Sequence, residues 1–296
     1  MKNYNPMLYP FDSKWVKIAG NKIHYIDEGK GPVLLFCHPP VTSSFMYREM
    51  IPELSKYHRC VAIDFPGFGL SELSSAYHHS IKNQSEILEA FIDHLELLDI
   101  TLLMQEVGGH AAMKVFIKKP QLLKSVIITD TILFPVSQYP KIRSMLNFIN
   151  GRIFRFLNIN LNFLAWGMPR YGVRKRKLSK AARKEYQKIF KDKALRAATC
   201  SLLHQLVREK QLLMDIQKAF ETTFHHLPAL VIYGDKDPLA EFKIPQRTHE
   251  LLPNSTLHWI KGEAHFPHEG APKEMVDLMI YFGKDSLNKT NVISVI

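Results

Sequence analysis

Short apolar runs recur along the chain and predict the strands of a buried sheet. Residues 33–37 are wholly apolar, which is typical of a strand covered on both faces of a parallel sheet. Similar runs follow and are bounded by polar or glycine-containing segments: 60–64, 101–105, 125–129, 229–233 and 257–260. Ahead of them, residues 15–20 and 22–27 alternate between apolar and polar positions around a Gly-Asn turn. This alternation predicts an antiparallel hairpin.

Helical periodicity lies between these runs. Within residues 81–98 the apolar positions form one stripe, and residues 110–119 and 272–282 are also predicted to be helical. Strand and helix alternate from 33 to 129 and again from 229 to 282. The pattern therefore predicts an α/β protein with a doubly wound, mostly parallel sheet. The polar tail after residue 284 is predicted to be loose.

Residues 135–224 interrupt this alternation with helical segments only. They predict a helical cap inserted into one core, which is formed by residues 1–134 and 225–296. The cap begins with a segment rich in Phe, Leu and Trp, and most of the formal net charge of +11 follows it. Residues 170–196 hold twelve Lys or Arg against two acidic residues.

A basic segment of this kind has two interpretations. It can bind an anionic surface such as a membrane or nucleic acid, or it can be a solvated helix face. The second interpretation is favoured, because the segment has no zinc-finger spacing, no interleaved aromatic residues and no other specific nucleic-acid motif.

The remaining composition is that of an ordinary globular protein, with 46% hydrophobic and 23% charged residues. Three cysteines, none in a C-x-x-C pair, are predicted to be buried thiols in a reducing compartment. The first residues show no cationic-then-apolar leader pattern, and no apolar run reaches the ~18 residues of a membrane span. We therefore expect a soluble, cytoplasmic protein.

Polar residues that could carry chemistry follow the predicted strands, where ligands bind in parallel α/β sheets. The segment 104–109 has the form of a nucleophile elbow, a strand and tight turn before a helix. Its central residue is Glu106, where Ser, Asp or Cys is usual. Asp237 and His265 follow two later strands, which gives the order nucleophile, acid, base. Asp130 follows another strand and is an alternative acid.

Four segments resemble the haloalkane dehalogenase and epoxide hydrolase branch of the α/β-hydrolase superfamily. Residues 38–48 (HPPVTSSFMYR) resemble the branch motif HGNPTSSYLWR, and residues 64–71 (DFPGFGLS) resemble D-x-x-G-x-G-x-S. Residues 105–109 (QEVGG) stand where the branch has H-D-W-G-G. Residues 264–272 (AHFPHEGAP) resemble G-H-F-x-Q-E-D-A-P. The resemblance covers nearly the whole chain, and the helical insertion corresponds to the cap over the active site.

The resemblance implies covalent catalysis on a small apolar substrate, with no cofactor and no metal. A carboxylate attacks carbon to form an ester, and a water activated by histidine hydrolyses that ester. Carried over, Glu106 is the nucleophile, His265 is the base, and Asp237 or Asp130 is the acid. The oxyanion donors and pocket wall then come from four residues, Val107, His38, Pro39 and Pro40. His265 and His268 have H-x-x-H spacing, but without a third ligand they predict no metal site.

The chain departs from the branch at several of these positions. Glu106 reaches about 1.5 Å further than the usual Asp, and misplacement by ~1 Å can cost ~10²-fold in rate. Pro40 replaces the Asn that supplies a backbone N–H, and proline has none. Val107 replaces the Trp that holds a leaving halide. Met104 replaces a small residue. These departures disfavour dehalogenation but leave epoxide opening feasible.

Two functions follow from this sequence. The first is a hydrolase of a small epoxide- or ester-like electrophile, in which Glu106 acts as nucleophile or as an acid/base partner of His265. Tyr171 and Tyr186 of the cap are candidate proton donors to an opening epoxide. The second is a catalytically degenerate relative that binds a small apolar ligand without hydrolysing it.

Overall fold

One mixed sheet of eight strands organises the protein. The computed structural model describes residues 3–293, and α13 is described by its backbone beyond Lys284. The chain folds into strands β1 (Lys14–Ile18), β2 (Asn21–Glu28), β3 (Val33–Cys37), β4 (Arg59–Ile63), β5 (Ile100–Gln105), β6 (Leu123–Thr129), β7 (Ala229–Gly234) and β8 (Ser255–Ile260). Their spatial order is β1-β2-β4-β3-β5-β6-β7-β8. The strands from β3 onward pair in parallel, whereas β1 and β2 add an antiparallel edge.

Helices cover both faces of this sheet and form the insertion after β6. They are α1 (Ile51–Leu54), α2 (Ile81–His94), α3 (Glu106–Lys118), α4 (Pro140–Asn150), α5 (Arg152–Leu161), α6 (Phe163–Tyr171), α7 (Lys180–Ile189), α8 (Lys193–Arg208), α9 (Lys210–Glu221), α10 (Pro238–Glu241), α11 (Ile244–Leu251), α12 (Pro267–Gly270) and α13 (Pro272–Ile293). Short 3-10 turns span Ser44–Tyr47, Pro120–Leu122 and Val136–Gln138. The predicted doubly wound α/β fold is confirmed.

The strands after the hairpin are buried because helices lie on both of their faces. All five residues of β3 and all six of β7 are buried, as the continuous apolar runs predicted. The three cysteines are free and buried, in agreement with their predicted role as small apolar residues. Among residues 3–293, no helix is long and apolar enough to cross a membrane.

The predicted hairpin forms, but its turn is displaced by one residue. Ala19 and Gly20 are the turn residues, and both have positive φ, at +46° and +79°. That pair of left-handed conformations matches the twist of two-residue hairpin turns. Asn21 is already the first residue of β2, and its side-chain amide donates to the carbonyl of Ile18 at 3.1 Å.

Two predicted helix ends were wrong. The helix predicted over 81–98 ends at His94, because Glu96 takes a left-handed φ of +51° that breaks the helical backbone. The last helix does not end near residue 282. Its backbone continues to Ile293, through the segment predicted to be a loose tail.

The insertion between β6 and β7 is helical throughout, as predicted, but its last helix packs differently from the others. Helices α4, α5 and α8 pack on one another, and α6 packs on α5 and α7. In contrast, α9 packs mainly on α3, the helix that follows the elbow. Within the range 135–224 predicted as the cap, α9 therefore contributes to the helical layer of the core. The division into a core and a cap stays a prediction, and the word cap is used below for helices α4 to α8.

Candidate active site

The elbow after β5 presents Glu106 in a strained conformation. Glu106 is the first residue of α3 and has a φ of +40°, in the left-handed region that side chains with a Cβ rarely adopt. Strain of this kind costs of order 1–3 kcal/mol and is found mainly at functional sites. The tight turn between β5 and α3 holds the Glu106 side chain at the carboxyl end of the sheet.

Two glycines make this turn possible. A Cβ atom on Gly108 would lie 2.3 Å from the carbonyl oxygen of His38, and one on Gly109 would lie 2.4 Å from Cγ of Met104. The start of α3 therefore packs directly against the end of β3. Met104, a departure from the family pattern, is accommodated because the residue opposite it is Gly109.

His265 joins Glu106 to Asp237. The Nε2 atom of His265 lies 2.8 Å from Oε1 of Glu106, and its Nδ1 atom lies 3.0 Å from Oδ2 of Asp237. The other oxygen of Asp237 accepts the backbone N–H of Leu239 at 2.8 Å and so caps α10. This hydrogen bond at the N-terminus of α10 fixes the Asp237 carboxylate. The carboxylate in turn orients the imidazole of His265 toward Glu106.

The electrostatic surroundings keep His265 protonated. Burial lowers the pKa of this imidazole, but the charge and hydrogen bond of Asp237, followed by those of Glu106, outweigh burial and raise the pKa well above its usual value. Both ring nitrogens therefore carry protons that point at carboxylates. One ligand atom each of Asp130, Asp237 and His265 lie within 4.8 Å of one another, and a metal ion there would have to displace the imidazole proton.

Asp130, the alternative acid, is close to the triad but is held by another residue. Its Oδ2 atom accepts from Nε2 of Gln105 at 2.9 Å, and its Oδ1 atom is buried with no hydrogen-bond partner in the described part of the chain. Burial raises the pKa of Asp130 well above its usual value. Nearby His265 opposes that shift, and the charges of Asp237 and Glu106 reinforce it. Burial thus favours the neutral form of Asp130, and Asp237 is the carboxylate that hydrogen-bonds to His265.

A cavity of about 440 Å³ lies over this triad. Glu106, Asp237 and His265 are at its wall, and most other lining residues have aliphatic or aromatic side chains, many of them from the cap. The main apolar contributors are Ile132, Ile142, Met145, Leu146, Ile149, Phe163, Leu164, Met168, Leu203, Leu206 and Phe266. Such a lining suits an apolar substrate whose reactive carbon reaches the few polar groups.

The matching family model, described as alpha/beta hydrolase fold, covers residues 32–272. The chain belongs to the α/β-hydrolase fold family. Haloalkane dehalogenase 2 of Mycobacterium bovis is 29% identical to this hydrolase over 277 residues, which are 93% of this chain and 96% of the relative. The cis-3-alkyl-4-alkyloxetan-2-one decarboxylase of Shewanella oneidensis is 26% identical over 291 residues, 93% of this chain and 89% of the relative.

Solved structures share the architecture of this hydrolase. A loop variant of the haloalkane dehalogenase DbeA from Bradyrhizobium elkanii superposes with a TM-score of 0.83 at 19% identity, covering 95% of this chain and 99% of that one. The dehalogenase DatA from Agrobacterium tumefaciens superposes with a TM-score of 0.81 at 20% identity, covering 92% of this chain and 96% of that one. The resemblance to haloalkane dehalogenases is confirmed, and that to epoxide hydrolases stays a prediction.

The loop of residues 38–41 connects the core to the cap beside the candidate site. His38 accepts the backbone N–H of Phe65 at Nε2 (3.0 Å), and its Nδ1 atom lies 2.9 Å from the carbonyl oxygen of Pro39. Burial lowers the pKa of His38, which is consistent with a neutral ring that donates through Nδ1. The carbonyl of Pro40 accepts the hydroxyl of Thr199 in the cap at 3.1 Å.

Four residues predicted to form the oxyanion and pocket wall are not at the cavity surface. His38, Pro39, Pro40 and Val107 are all buried, and none of them is among its lining residues. The start of α3 packs on the backbone of Cys37 and His38, and Thr199 of α8 donates to the carbonyl of Pro40, so this part of the loop is covered from both sides. Val41 is the residue of this loop that reaches the cavity.

The loop of residues 64–71, which resembles the D-x-x-G-x-G-x-S motif, has a structural role. Asp64 is fully buried and accepts hydrogen bonds from the backbone N–H groups of Ser44 and Leu70 and from Nδ1 of His24, at 2.7 to 2.9 Å. A Cβ atom on Gly69 would collide with this carboxylate at 2.0 Å. Asp64 therefore ties the hairpin to two loops rather than taking part in chemistry.

The two tyrosines predicted as proton donors have different positions. Tyr171 lines the cavity and is exposed. Tyr186 is fully buried, and its hydroxyl donates to Oε1 of Glu269. Glu269 also forms a two-bond pair with Arg48, in which Nη2 of Arg48 lies 3.0 Å from Oε2. Tyr186 therefore joins the cap to the core and is removed from the candidate donors.

Several polar residues of the site were missed from the sequence. His110, one helical turn after Glu106, lines the cavity, and burial lowers its pKa to about 4, so that it is neutral. Thr131 also lines the cavity. Gln105 stands at the family's His position and holds Asp130. The spacing of four residues from Glu106 could have indicated His110, whereas the contacts of Gln105 depend on the pairing of β5 with β6.

Proposed function

We propose that this protein hydrolyses small apolar molecules that contain a strained oxygen ring, either an epoxide or a cyclic ester. The observation that carries the proposal is the bridge made by His265 between Glu106 and Asp237 at the wall of an apolar cavity. The name of the Shewanella oneidensis relative supports the cyclic-ester class, because an oxetan-2-one is a strained lactone.

In the first step, the Glu106 carboxylate attacks a ring carbon of the epoxide and the carbon–oxygen bond breaks. An ester to Glu106 forms, and the ring oxygen leaves as an alkoxide. His265 loses its proton as the alkoxide gains one, which keeps the charges balanced. Esterification also removes one of the two anions that raise the pKa of His265. The imidazole is therefore more easily deprotonated after the attack than before it.

In the second step, the neutral imidazole acts as a base. It takes a proton from water, the water oxygen attacks the ester carbonyl, and the Glu106–substrate bond breaks to release a diol. Asp237 stabilises the imidazolium that forms again. The sum of the two steps is epoxide plus water giving diol, with Glu106 and His265 restored.

Covalent turnover is tested by trapping the ester. A His265→Gln protein incubated with styrene oxide should gain the mass of one substrate on the peptide that contains Glu106. In this variant Glu106 can still attack and solvent water can protonate the alkoxide, whereas hydrolysis of the ester lacks its base. During turnover in ¹⁸O-water, the wild-type protein should incorporate label into Glu106. The matched control is Glu106→Gln, which should gain neither adduct nor label. A wild-type protein that turns over without labelling Glu106 would contradict the nucleophile role.

The second candidate is a ligand-binding protein without turnover, and one observation favours it. The Nε2 atom of His265 is in direct contact with Glu106, which leaves that nitrogen engaged where a hydrolytic water would need it. Pro40 adds to this, since it lacks the N–H of an oxyanion donor. A panel of epoxides, lactones, esters and 1-bromoalkanes separates the two functions. Binding of equal affinity by wild type and Glu106→Gln, without turnover of any panel member, would favour the binding protein.

A further inference from the structure

The cap carries an unusual concentration of exposed hydrophobic side chains. Sixteen large hydrophobic residues are exposed in the described part of the chain, and eight of them lie on α4, α5 and α6. We call these eight the cap stripe: Met145, Phe148, Ile153, Phe156, Leu161, Phe163, Trp166 and Tyr171. Large exposed apolar surfaces on soluble domains mark sites of interaction with a partner or a membrane.

Aromatic contacts join half of the stripe residues across the three helices. Phe154, which is buried, contacts the ring of Phe148 at 5.5 Å and that of Phe163 at 5.6 Å between centroids. Phe163 then contacts Trp166 at 5.8 Å, and Trp166 contacts Tyr171 at 6.0 Å. The aromatic part of the stripe is therefore one cluster formed by α4, α5 and α6, and the other stripe residues are exposed on the same three helices.

The surroundings of the stripe are basic. Residues 131–184 contain twelve Lys or Arg and no Asp or Glu. Arg152, Arg170 and Arg174 are exposed on or beside the stripe helices, and the guanidinium of Arg170 lies 4.5 Å from the centre of the Trp166 ring. Positive charge around an apolar surface complements a layer that is anionic outside and apolar inside.

The stripe also borders the entrance of the cavity. Met145, Phe163 and Tyr171 are exposed, and the same three residues line the cavity over the triad. Arg174 is exposed and lines the cavity as well. An apolar molecule that leaves the stripe would therefore enter the cavity without crossing water.

We propose that the cap stripe docks this protein on an anionic lipid bilayer, with α4 to α6 lying in the interface and the cavity open to the lipid. Amphipathic helices with bulky apolar residues and Lys or Arg at their edges bind membranes in this way. Nucleic acid fits less well, because Met145, Ile153 and Leu161 cannot stack on bases as aromatic rings do. A second copy of this chain fits less well because its stripe carries the same positive charge.

Vesicle sedimentation tests the docking surface. The full chain should sediment with vesicles that contain phosphatidylcholine and about 30 mol% phosphatidylglycerol, and more weakly with phosphatidylcholine alone. The double variant Ile153→Ser and Phe156→Ser should reduce partitioning at least about tenfold, because those side chains are 76% and 64% exposed and would insert into the lipid. Neither residue lines the cavity.

The matched control is Leu98→Ser. Leu98 is 64% exposed, as Phe156 is, but it lies in the loop after α2, outside the cap. Its replacement should therefore leave the partitioning of the protein into vesicles unchanged. A spectroscopic arm uses the fact that the chain has three tryptophans. In the variant Trp15→Phe and Trp259→Phe, Trp166 is the remaining indole. Its emission should shift to the blue with anionic vesicles and be quenched by brominated lipid.

Three outcomes would overturn the proposal. The first is vesicle binding that the double variant leaves intact, or equal loss with Leu98→Ser. The second is a concentration-dependent dimer that the double variant disrupts while vesicle binding is absent. The third is binding to single-stranded RNA, but not to vesicles, that the double variant weakens. Failure of the hydrolase proposal is separable from these, because vesicle binding is measured without substrate.

Discussion

The candidate active site and the Arg48–Glu269–Tyr186 cluster are both buried and charged, but their polar atoms are satisfied differently. Both carboxylate oxygens of Glu269 accept hydrogen bonds, from Arg48 and from Tyr186. In the site, Oε2 of Glu106 and Oδ1 of Asp130 are buried with no partner among residues 3–293. The backbone of Glu106 is strained in addition.

This difference distinguishes charged groups that hold the fold together from charged groups at the candidate active site. A buried polar atom without a partner costs about 1–3 kcal/mol, so a fold gains by pairing it. Glu269 and its partners hold the cap on the core and are paired accordingly. Glu106 and Asp130 line the cavity but each keeps one carboxylate oxygen without a partner, which is the kind of unsatisfied group that native structures retain at catalytic sites.

The strongest test removes the charge of Glu106 while keeping its shape. Glu106→Gln should lower kcat/KM for the best panel substrate by at least ~10⁴-fold, or about 5.5 kcal/mol, because the nucleophile is lost. Steady-state kinetics measure this loss. The surface variant Glu53→Gln serves as the control and should retain full activity. A Glu106→Gln protein within tenfold of wild type would place the chemistry elsewhere.

The two acids should differ in a second test. Asp237→Asn should reduce kcat by ~10³-fold, since the imidazolium loses its hydrogen-bonded counter-ion. Asp130→Asn should reduce kcat less than about tenfold, because burial favours the neutral form of Asp130 and His265 hydrogen-bonds to Asp237 instead. The kcat values of the two variants are measured with the same substrate at the same pH. Equal losses would show that Asp130 shares the role of the acid.

Removing the structural carboxylate should affect stability rather than chemistry. Glu269→Ala should lower the free energy of unfolding by about 3 kcal/mol, because the buried Arg48 would lose its buried partner and keep Glu49, whose carboxylate is exposed. Urea unfolding followed by circular dichroism measures the change. Glu53→Ala breaks an exposed pair with Lys56 and should cost less than about 0.5 kcal/mol. If the two variants have equal stability, the cluster does not hold the cap.

The strain at Glu106 predicts a variant that is more stable and inactive. Glu106→Gly should raise the free energy of unfolding by about 1 kcal/mol, because glycine adopts positive φ without strain and the unpaired carboxylate oxygen is removed. Glu96→Gly is the matched control, since Glu96 is exposed and also has a positive φ of +51°. A Glu106→Gly protein no more stable than Glu96→Gly would show that burial of this carboxylate costs nothing.

The smallest expected effect is on how the free energy of unfolding depends on pH. Burial raises the pKa of Asp130 above that of the unfolded chain, which is about 3.9, so the folded state holds a proton that the unfolded state releases. Stability should therefore fall as pH rises from about 4 through the folded pKa of Asp130. The pKa of His265 is also raised, so the stability that its protonated form contributes is lost at higher pH, above about 6.5.

Asp130→Asn isolates the first of these contributions. Unfolding measured in urea between pH 4 and pH 8 should show a shallower decline for this variant than for wild type. The decline due to His265 should remain in both proteins. Identical pH profiles would mean that Asp130 is ionised in the folded protein.

Much of the fold could be predicted from local patterns. Buried parallel strands are continuous apolar runs, and β3 begins and ends at the predicted residues. Helix ends were less predictable, because Glu96 adopts a left-handed conformation that its residue type does not favour. The packing of α9 could not be predicted either, since this helix packs more on α3 than on α8, the cap helix that precedes it.

The sequence by itself determined the family, the order of Glu106, Asp237 and His265, and the missing donors at Pro40 and Val107, because motifs and residue types are local properties. Only the tertiary structure decided that Asp237 is the hydrogen-bonded acid, that Asp130 is held by Gln105, and that Tyr186 belongs to a structural cluster. These assignments depend on which strand ends and helices meet in space. Burial and pairing, which set the charge of each group, exist only after the chain has folded.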